Sequence, residues 1–308
     1  MKTSHIPVLV DQVVRVLDPH TGESYLDATA GYGGHAAVLM ERIGASGRTV
    51  LVDRDAAATQ SLAEQFGDAA EIIHADYLTA AERLLDEGTL VDMILLDLGV
   101  SSPQFDNRER GFSFAGGGPL DMRMDQSQQL TAAEVVNRWP AYELERIIRD
   151  YGEEPRARAV TRAIVRSRPF ATTADLAAVV RQAAAATSGI DTATRTFQAL
   201  RIEVNAELEL LQAALPMLAK LLAPGGRLAV ISFHSLEDRT VKQFFDYEAR
   251  DCVCPPKQPV CTCGHVASMR KLTVKPIIAS ADEIAFNPRA RSAKLRAAEK
   301  INKNKRRD

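Results

Sequence analysis

Long apolar segments are missing from this sequence of 308 residues. No apolar run approaches the roughly 18 residues that a helix needs to cross a bilayer, and residues 1–7 lack the apolar core of a signal peptide. With 46% hydrophobic and 25% charged residues, the composition is that of an ordinary globular protein with enough apolar material for one large domain or two. We therefore expect a cytoplasmic protein.

A strong net charge is absent as well, because the formal total is only −2. The charges are unevenly distributed, however. Residues 289–308 hold nine Lys and Arg against two acids, so this end carries +7 and the remainder −9. A basic segment of this kind suits a polyanion such as RNA. The alternative is a solvated end that aids solubility.

Cysteine is scarce, and the four cysteines that are present lie close together, at Cys252, Cys254, Cys261 and Cys263. Such a cluster could supply four thiolates to a structural zinc ion, although C-x-C is a less typical spacing than C-x-x-C. Free thiols and a disulfide are the alternatives, and a cytoplasmic setting disfavours the disulfide. The sequence leaves this choice open.

The most informative stretch is a glycine-rich turn between a short predicted strand and a helix. The strand leads into Asp27, and Gly31, Gly33 and Gly34 form the turn before a helix over 36–43. Glycine permits positive φ and lets a ligand approach the backbone closely. The N terminus of the following helix directs its free N–H groups and positive dipole end at that ligand.

The identity of the ligand is less obvious from the turn alone. A second predicted strand ends at Asp53, where a carboxylate can accept hydrogen bonds from the two hydroxyls of a ribose. Residues 31–36 fit G-x-G-x-x-G/A literally, which leaves a methyl donor, a dinucleotide or an ordinary turn open. Asp27 favours the methyl donor, because its carboxylate can bind the donor's ammonium group and would repel a pyrophosphate.

The first hundred residues predict strands that alternate with helices, which indicates parallel pairing with right-handed crossovers. The predicted strands are the one ending at Leu26, and 48–53, 71–77 and 91–97. In such sheets ligands bind beyond the carboxyl ends of the strands. Asp27, Asp53, Tyr77 and Asp97 all fall at those ends. Their convergence is a stronger signal than any single motif.

This alternation stops after residue 97. Residues 98–105 and 111–119 are rich in Gly, Ser and Pro and are predicted to be loops. A helical domain over 106–205 is predicted as an insert for substrate recognition in a discontinuous α/β domain formed by 1–105 and 206–308. Its predicted helices begin at 131, 143, 156 and 174, and the one from 156 carries a stripe of Arg158, Arg162 and Arg166. That stripe is a solvated face or an RNA contact.

After the insert, the pattern predicts a helix over 207–222, a strand over 227–233 and a helix over 236–247. A closing pair of strands is predicted over 271–278 and near Ile284. The segments after residues 97 and 232 should reach the same edge of the sheet as the glycine turn. Phe112, Phe114 and Phe233 could stack on a flat base there, although aromatic residues more often belong to the core.

Several longer blocks resemble one known family. They are 27–35 (DATAGYGGH), 96–104 (LDLGVSSPQ), 110–114 (RGFSF), 118–125 (GPLDMRMD), 193–199 (ATRTFQA), 232–239 (SFHSLEDR) and 287–292 (NPRARS). The sequence is similar to the ribosomal RNA small subunit methyltransferase H family, also called MraW, over nearly its whole length. The resemblance implies a class I methyltransferase fold, a doubly wound and mostly parallel sheet of seven strands with an inserted all-helical domain. It also implies S-adenosylmethionine as cofactor and methylation of N4 of a cytidine in the decoding region of 16S ribosomal RNA.

The resemblance also implies roles for individual residues. The predicted cofactor-binding residues are Asp27, Gly33, Gly34, His35, Asp53, Tyr77, Asp97 and Gln104. Thr29 and Ala30 depart from the common glycine pattern of methyltransferases. Asp97 is further predicted to accept a hydrogen bond from the target amine or to orient it. Ser101, Ser102, His234 and Ser235 are the candidates for contacts with the base. No general base and no metal ligand is identified among them, and the oligomeric state stays open.

Two other functions compete with this one. A nicotinamide-dependent oxidoreductase would explain the glycine pattern but not Asp27, the block from Asp97 and the basic end together. A non-catalytic assembly factor for the small subunit would bind RNA and retain a degenerate donor site. The presence of Asp27, Asp53 and Asp97 together argues against degeneration.

Overall fold

The computed structural model describes residues 7–114, 116–184, 191–256 and 258–302. Residues 1–6, the predicted helix end at 186 and residues 303–308 of the basic end lie outside this description. The chain divides into two compact units. The residues up to Gly99 and from Leu210 onward form one, here named the sheet unit. Val100–Glu209 form the other, the helical unit.

The helices and strands follow the order expected for an α/β chain with a helical insert. The strands are β1 (Tyr25–Asp27), β2 (Thr49–Asp53), β3 (Glu71–His74), β4 (Val91–Asp97), β5 (Leu222–Ser232), β6 (Met269–Lys271), β7 (Ile277–Ile278) and β8 (Lys294–Lys300). The helices are α1 (Val10–Leu17), α2 (Gly34–Ile43), α3 (Ala56–Phe66), α4 (Tyr77–Asp86), α5 (Ser102–Asp106), α6 (Ala132–Arg138), α7 (Ala141–Asp150), α8 (Ala157–Ser167), α9 (Thr173–Ala183), α10 (Ala193–Asn205), α11 (Glu207–Leu221), α12 (Ser235–Glu248) and α13 (Ala281–Phe286).

The sheet has the order β3-β2-β1-β4-β5-β8-β6, with the two-residue β7 paired to β8. The pairs from β3 to β5 are parallel, and β8 runs antiparallel to both β5 and β6. The predicted doubly wound, mostly parallel sheet is therefore confirmed. The strand order reverses between β1 and β4, so the carboxyl ends of these two strands flank the crevice where open α/β sheets bind ligands.

The central strands are buried on both faces, which explains their uninterrupted apolar sequences. Leu26, Val52 and Leu96 point to one hydrophobic core, and Leu51 and Leu95 point to the other. This alternation follows the two-residue period of a strand. It leaves only the polar residues at the carboxyl ends free of the core, and these are the ones that reach the crevice.

The predicted end of β3 is wrong. The strand ends at His74, not at residue 77, because the Asp76 carboxylate accepts hydrogen bonds from the Leu78 and Thr79 amides at 2.9 and 3.0 Å. Asp76 is thus the N-cap of α4, and Tyr77 is the first residue of that helix. A side-chain cap competes with strand continuation at this position.

The predicted closing pair of strands is also wrong. Ile284 lies in the helix α13, whose N-cap Ser280 accepts from the Glu283 amide at 3.1 Å. The predicted strand over 271–278 is interrupted, and only β6 and β7 remain of it. The long strand of this region is β8, which lies in the basic end of the chain and pairs with β5 along its length.

The position of β8 changes the interpretation of the basic end. Arg296 is buried, and its guanidinium pairs with the Asp238 carboxylate at 2.6 Å. Lys294 approaches the same carboxylate at 3.4 Å, and the Lys300 ammonium donates to the carbonyls of Lys220 and Leu222. These three cations make contacts that stabilise the fold, so the prediction of a solvated or RNA-binding end does not apply to β8.

The Asp238–Arg296 pair makes a testable contribution to stability. Asp238→Asn is expected to lower the free energy of unfolding by about 2 kcal/mol, because it leaves the buried Arg296 guanidinium without its counter-ion. Urea denaturation of the full chain measures this, with Asp86→Asn on the exposed end of α4 as the matched control. An Asp238→Asn midpoint equal to that of wild type would show that the pair contributes nothing.

The helical unit has a core of its own. Val135, Ile147, Val160 and Leu200 are among its fully buried members. It extends beyond the predicted insert of 106–205 at both ends. Val100 packs against its core, and the Tyr151 hydroxyl donates to Glu209 at 2.7 Å. The predicted role of this unit in recognising the substrate stays a prediction.

Two predicted features of the helical unit have distinct outcomes. Phe112 and Phe114 belong to the helical core, with the Phe114 ring edge-on to Phe197 at 5.0 Å between centroids. The stripe of Arg158, Arg162 and Arg166 is exposed on α8, opposite the buried face of that helix. The stripe is therefore accessible to RNA, whereas the two phenylalanines have a structural role.

Helix length and polarity also bear on membrane insertion. Within residues 7–114, 116–184, 191–256 and 258–302, no helix is both long and apolar enough to cross a bilayer.

Candidate active site

The glycine turn joins β1 to α2 in a conformation that only glycine adopts easily. Gly31 and Gly33 have φ values of +53° and +79°, in the left-handed region that costs other residues energy. A Cβ added at Gly33 would lie 2.6 Å from Cε2 of Phe66. Helix α3, which ends at Phe66, therefore packs directly beneath the turn. Gly34 then begins α2, whose N-cap Gly33 gives no side-chain cap.

Asp53, at the end of β2, ties the turn to the neighbouring strand. Its two carboxylate oxygens accept from the Gly31 and Asp55 amides, each at 2.8 Å. Burial raises the pKa of Asp53 to about 6, although these two backbone hydrogen bonds lower it. A carboxylate has about four acceptor positions, so Asp53 keeps capacity for the hydroxyls of a ribose.

This pKa makes the predicted contact of Asp53 with the ribose of a cofactor testable by pH. We expect S-adenosylmethionine to bind about tenfold more weakly at pH 5 than at pH 7, because protonation near pH 6 removes the anionic acceptor. Since the folded-state pKa lies above the unfolded one, protonating Asp53 stabilises the fold, and acid unfolding through this group does not explain the loss. Calorimetric titration across this range measures it.

The matched variant for that titration is Asp53→Asn. Its affinity should be low at every pH and independent of pH between 5 and 7, where wild type changes about tenfold. If the affinity of Asp53→Asn still changed with pH, the titrating group would be a different residue. Asp27 is the first alternative, because burial raises its pKa to about 6 as well.

Asp27, at the end of β1, is more deeply buried than the predicted role requires. It is 1% exposed. One oxygen accepts from the Tyr25 hydroxyl at 2.7 Å and the other from the Thr29 amide at 3.3 Å. Both oxygens thus have donors within the protein, and they hold the start of the glycine turn. Binding of the donor's ammonium group by Asp27 stays a prediction.

Asp97, at the end of β4, is held from the opposite side of the crevice. Its amide donates to the Thr29 hydroxyl at 2.6 Å, and its Oδ2 lies 3.6 Å from Nε2 of the buried His35. In the part of the chain that the structure describes, Asp97 Oδ1 and His35 Nε2 are buried without a hydrogen-bond partner. Burying polar atoms unpaired is costly, so these two atoms mark this end of β4 as a candidate ligand site.

From the sequence, Thr29 is only a departure from the common glycine pattern, and its role in the site is not predictable from that pattern. In the structure, its hydroxyl connects the glycine turn to the end of β4. The available signal was a hydroxyl residue two positions after a strand-ending aspartate, where Ser and Thr often bond to nearby backbone.

Tyr77, the predicted neighbour of the adenine, opens α4 and is 9% exposed. It is part of the hydrophobic core beneath that helix. This location follows β3 directly and therefore lies on the carboxyl side of the sheet. Contact with adenine stays a prediction.

His234 and Ser235 follow β5 and begin α12. The His234 ring nitrogen Nδ1 accepts from the Glu237 amide at 3.4 Å, and Glu237 Oε2 accepts from the Phe233 and His234 amides. His234 Nε2 lies 3.1 Å from the other oxygen of Glu237. His234 therefore caps a helix, a structural role alongside the predicted contact with the base.

A cavity of about 240 Å³ lies beside this cap within the sheet unit. Phe233, His234 and Ser235 line it from one side, and Arg291 and Lys294 line it from the other. It combines the aromatic ring of Phe233 with the cation of Arg291, whereas Lys294 is already paired with Asp238. Such a set suits a flat base and its phosphate.

Ser101, Ser102 and Gln104 lie in the helical unit, on the short helix α5, where a loop was predicted. Ser101 and Gln104 form a reciprocal capping box, with the Gln104 carbonyl oxygen accepting from the Ser101 amide at 3.0 Å. Among the described residues, the buried hydroxyl of Ser102 has no hydrogen-bond partner. The loop prediction is wrong here because the Ser-Pro start and the capping box favour a helix. The predicted ligand contacts of these residues stay predictions.

The sheet is doubly wound, with a glycine turn after β1 and acids at the ends of β1, β2 and β4. This combination is typical of an α/β enzyme with a nucleoside-type cofactor. Comparisons with known proteins narrow this class. The family model described as the MraW methylase family matches residues 2–301. The chain belongs to the MraW methylase family, whose methyl donor is S-adenosylmethionine.

Curated relatives carry a more specific name. The chain is 48% identical over 309 residues to "Ribosomal RNA small subunit methyltransferase H" of Heliobacterium modesticaldum, covering 96% of this chain and 98% of that protein. It is 48% identical to the protein of the same name from Thermomicrobium roseum, covering 98% and 95%.

A solved structure, the SAM-dependent O-methyltransferase of Thermotoga maritima, is similar at 11% identity and a TM-score of 0.42, covering 97% of this chain and 68% of that chain. At this identity and TM-score, the similarity carries no argument, and the fold is assigned from the strand order.

Proposed function

We propose that this protein transfers a methyl group from S-adenosylmethionine to the exocyclic N4 of a cytidine in the decoding region of 16S ribosomal RNA. The observation that carries the proposal is Asp97. Its carboxylate is anchored at the carboxyl end of β4, and Oδ1 is buried without a donor among the described residues. An exocyclic amine can supply that donor. The names of the relatives support RNA of the small subunit as the substrate.

The cofactor fits the residues that are present. Gly33 and the start of α2 would accept the methionine end, and Asp53 would hold the ribose hydroxyls. When bound, S-adenosylmethionine supplies a methyl group that is already activated by the sulfonium. Membership in a methylase family leaves no role for the alternative nicotinamide cofactor.

The enzyme's own task is to orient a poor nucleophile. The N4 lone pair of cytidine is delocalised into the ring, so the nitrogen must become more pyramidal before it attacks. A hydrogen bond from N4–H to Asp97 Oδ1 favours that geometry and polarises the N–H bond. Orientation should supply most of the acceleration, with effective molarities on the order of 10⁵ M. The proton leaves N4 after methyl transfer, and Asp97 is its first acceptor.

The cavity beside His234 is the proposed site for the target nucleotide. A base must leave the RNA stack before an enzyme can act on it. Phe233 offers a ring for stacking, and Arg291 offers a positive charge for an adjacent phosphate. The exposed arginine stripe of α8 would contact a further part of the RNA. The proposed substrate places the enzyme in the cytoplasm.

The test is methyl transfer from labelled S-adenosylmethionine to purified small ribosomal subunits from cells that lack this protein. Mass spectrometry of the digested RNA identifies the modified nucleoside, and naked 16S transcript serves as the second substrate. N4-methylated cytidine on either substrate is the expected result. Donor binding without any RNA methylation would favour the non-catalytic assembly factor. Methylation at another atom would overturn the proposed chemistry.

A further inference from the structure

The described part of the connection between α12 and β6 contributes almost nothing to a hydrophobic core. Cys252, Cys261 and Cys263 are exposed, and Cys254 is partly buried. None of the four belongs to a hydrophobic cluster. Segments with so little apolar burial usually need a crosslink or a metal ion to stay folded.

The four sulfur atoms converge on one point. All four lie within 4.8 Å of one another. Cys252 and Cys263 Sγ lie 3.5 and 3.6 Å from Cys261 Sγ, Cys252 and Cys263 Sγ lie 3.8 Å apart, and Cys254 and Cys261 Sγ lie 4.0 Å apart. A zinc–sulfur bond of about 2.3 Å gives tetrahedral sulfur–sulfur edges of about 3.8 Å. The observed spacing is that of four ligands around a single ion.

Backbone amides support the sulfurs in a symmetric pattern. The residue between the first two cysteines, Val253, donates its amide to Cys263 Sγ at 3.4 Å. The residue between the last two, Thr262, donates its amide to Cys254 Sγ at 3.4 Å. Each C-x-C pair therefore supports the last sulfur of the other pair. Such outer hydrogen bonds stabilise thiolate charge and fix ligand orientation at metal sites.

The spacing argues against a disulfide and against an iron–sulfur cluster. A disulfide needs sulfurs about 2.0 Å apart, and all four cysteines are free. An iron–sulfur cluster places its own irons and sulfides between the cysteines, which requires longer separations across the site than those observed. A single tetrahedral ion with soft ligands fits the observed spacing, and zinc is the usual occupant of such a site.

We infer that Cys252, Cys254, Cys261 and Cys263 bind one Zn²⁺ as a structural tetrathiolate site. Four protein thiolates fill every position of a tetrahedral ion, so no position is open for catalysis. The ion closes the segment between α12 and β6. Around it, Gln258 donates to the Val260 carbonyl and the Thr262 hydroxyl, and the His265 ring packs against Tyr247 at 4.6 Å.

The test is the metal content of the full chain purified without chelators. Mass spectrometry of the metals should find about one zinc per chain. Cys261→Ser and Cys263→Ser should each lower that content at least about fivefold, whereas Val260→Ala, an exposed position in the same segment, should leave it unchanged. Replacement by Co²⁺ should give the intense visible bands of a tetrahedral thiolate complex.

The same samples separate a structural site from a catalytic one. Zinc removal should expose residues 251–264 to proteolysis and leave the affinity for S-adenosylmethionine within about twofold. The wild-type measurements stand even if a cysteine variant folds poorly. Less than about 0.1 zinc per chain, with four thiols that react equally fast before and after chelation, would overturn the inference. One iron per chain in place of zinc would overturn the choice of metal.

Discussion

Asp97→Asn is expected to lower the rate of methyl transfer by about 10³-fold or more, because the asparagine removes the negative charge and replaces one of the two acceptor oxygens with an NH2 donor that cannot accept from the target amine. The substitution keeps the size of the side chain. It also keeps the amide of residue 97 that donates to Thr29. The loss should appear in kcat, measured with labelled S-adenosylmethionine and small subunits that lack the modification.

Two further variants make the Asp97 result specific. Thr29→Val preserves shape but removes the hydroxyl that holds the end of β4, so it should reduce kcat by about tenfold while the carboxylate remains. Asp86→Asn, on the exposed end of α4, should change nothing. Asp97→Asn activity within threefold of wild type would place the acceptor elsewhere. Loss of cofactor binding alone, with kcat retained at saturation, would restrict Asp97 to the cofactor.

The parallel half of the sheet was predictable because its strands are apolar runs, three of which, β1, β2 and β4, end in an aspartate. The patterns ending at Asp53 and Asp97 needed no knowledge of distant residues. β8 was not predictable in this way, since its sequence, KLRAAEK, is too basic for a buried strand on its own. Only the pairing of Arg296 with Asp238, which lies far away in sequence, makes burial of that strand possible.

The site shows the same division between local and distant causes. The positions of Asp27, Asp53 and Asp97 could be predicted from the strand ends, because the carboxyl ends of parallel strands lie at one edge of the sheet. The caps formed by His234 and Ser101 were missed because a polar residue beside a turn serves a helix or a ligand equally well from sequence alone. The unpaired oxygen of Asp97 depends on the packing around the end of β4, and no sequence pattern reports it.

Gly33→Ala is expected to weaken binding of S-adenosylmethionine by about 100-fold or more. A left-handed alanine costs roughly 1–2 kcal/mol. The new Cβ would also meet Cε2 of Phe66 at 2.6 Å and Cζ at 2.9 Å. Either the Phe66 ring or the turn must therefore shift, and a shift of the turn also moves the amide of Gly31, which donates to Asp53. Calorimetric titration of the full chain measures the loss.

Matched variants separate the two causes of that loss. Gly88 has a φ of +70° with nothing within 4 Å of an added Cβ, so Gly88→Ala tests the backbone cost outside the site and should leave affinity unchanged. Adding Phe66→Leu to Gly33→Ala relieves the clash but not the strain, and should recover about tenfold of the affinity. Full recovery would assign the loss to Phe66 alone. Wild-type affinity in Gly33→Ala would show that the cofactor does not depend on the conformation of this turn.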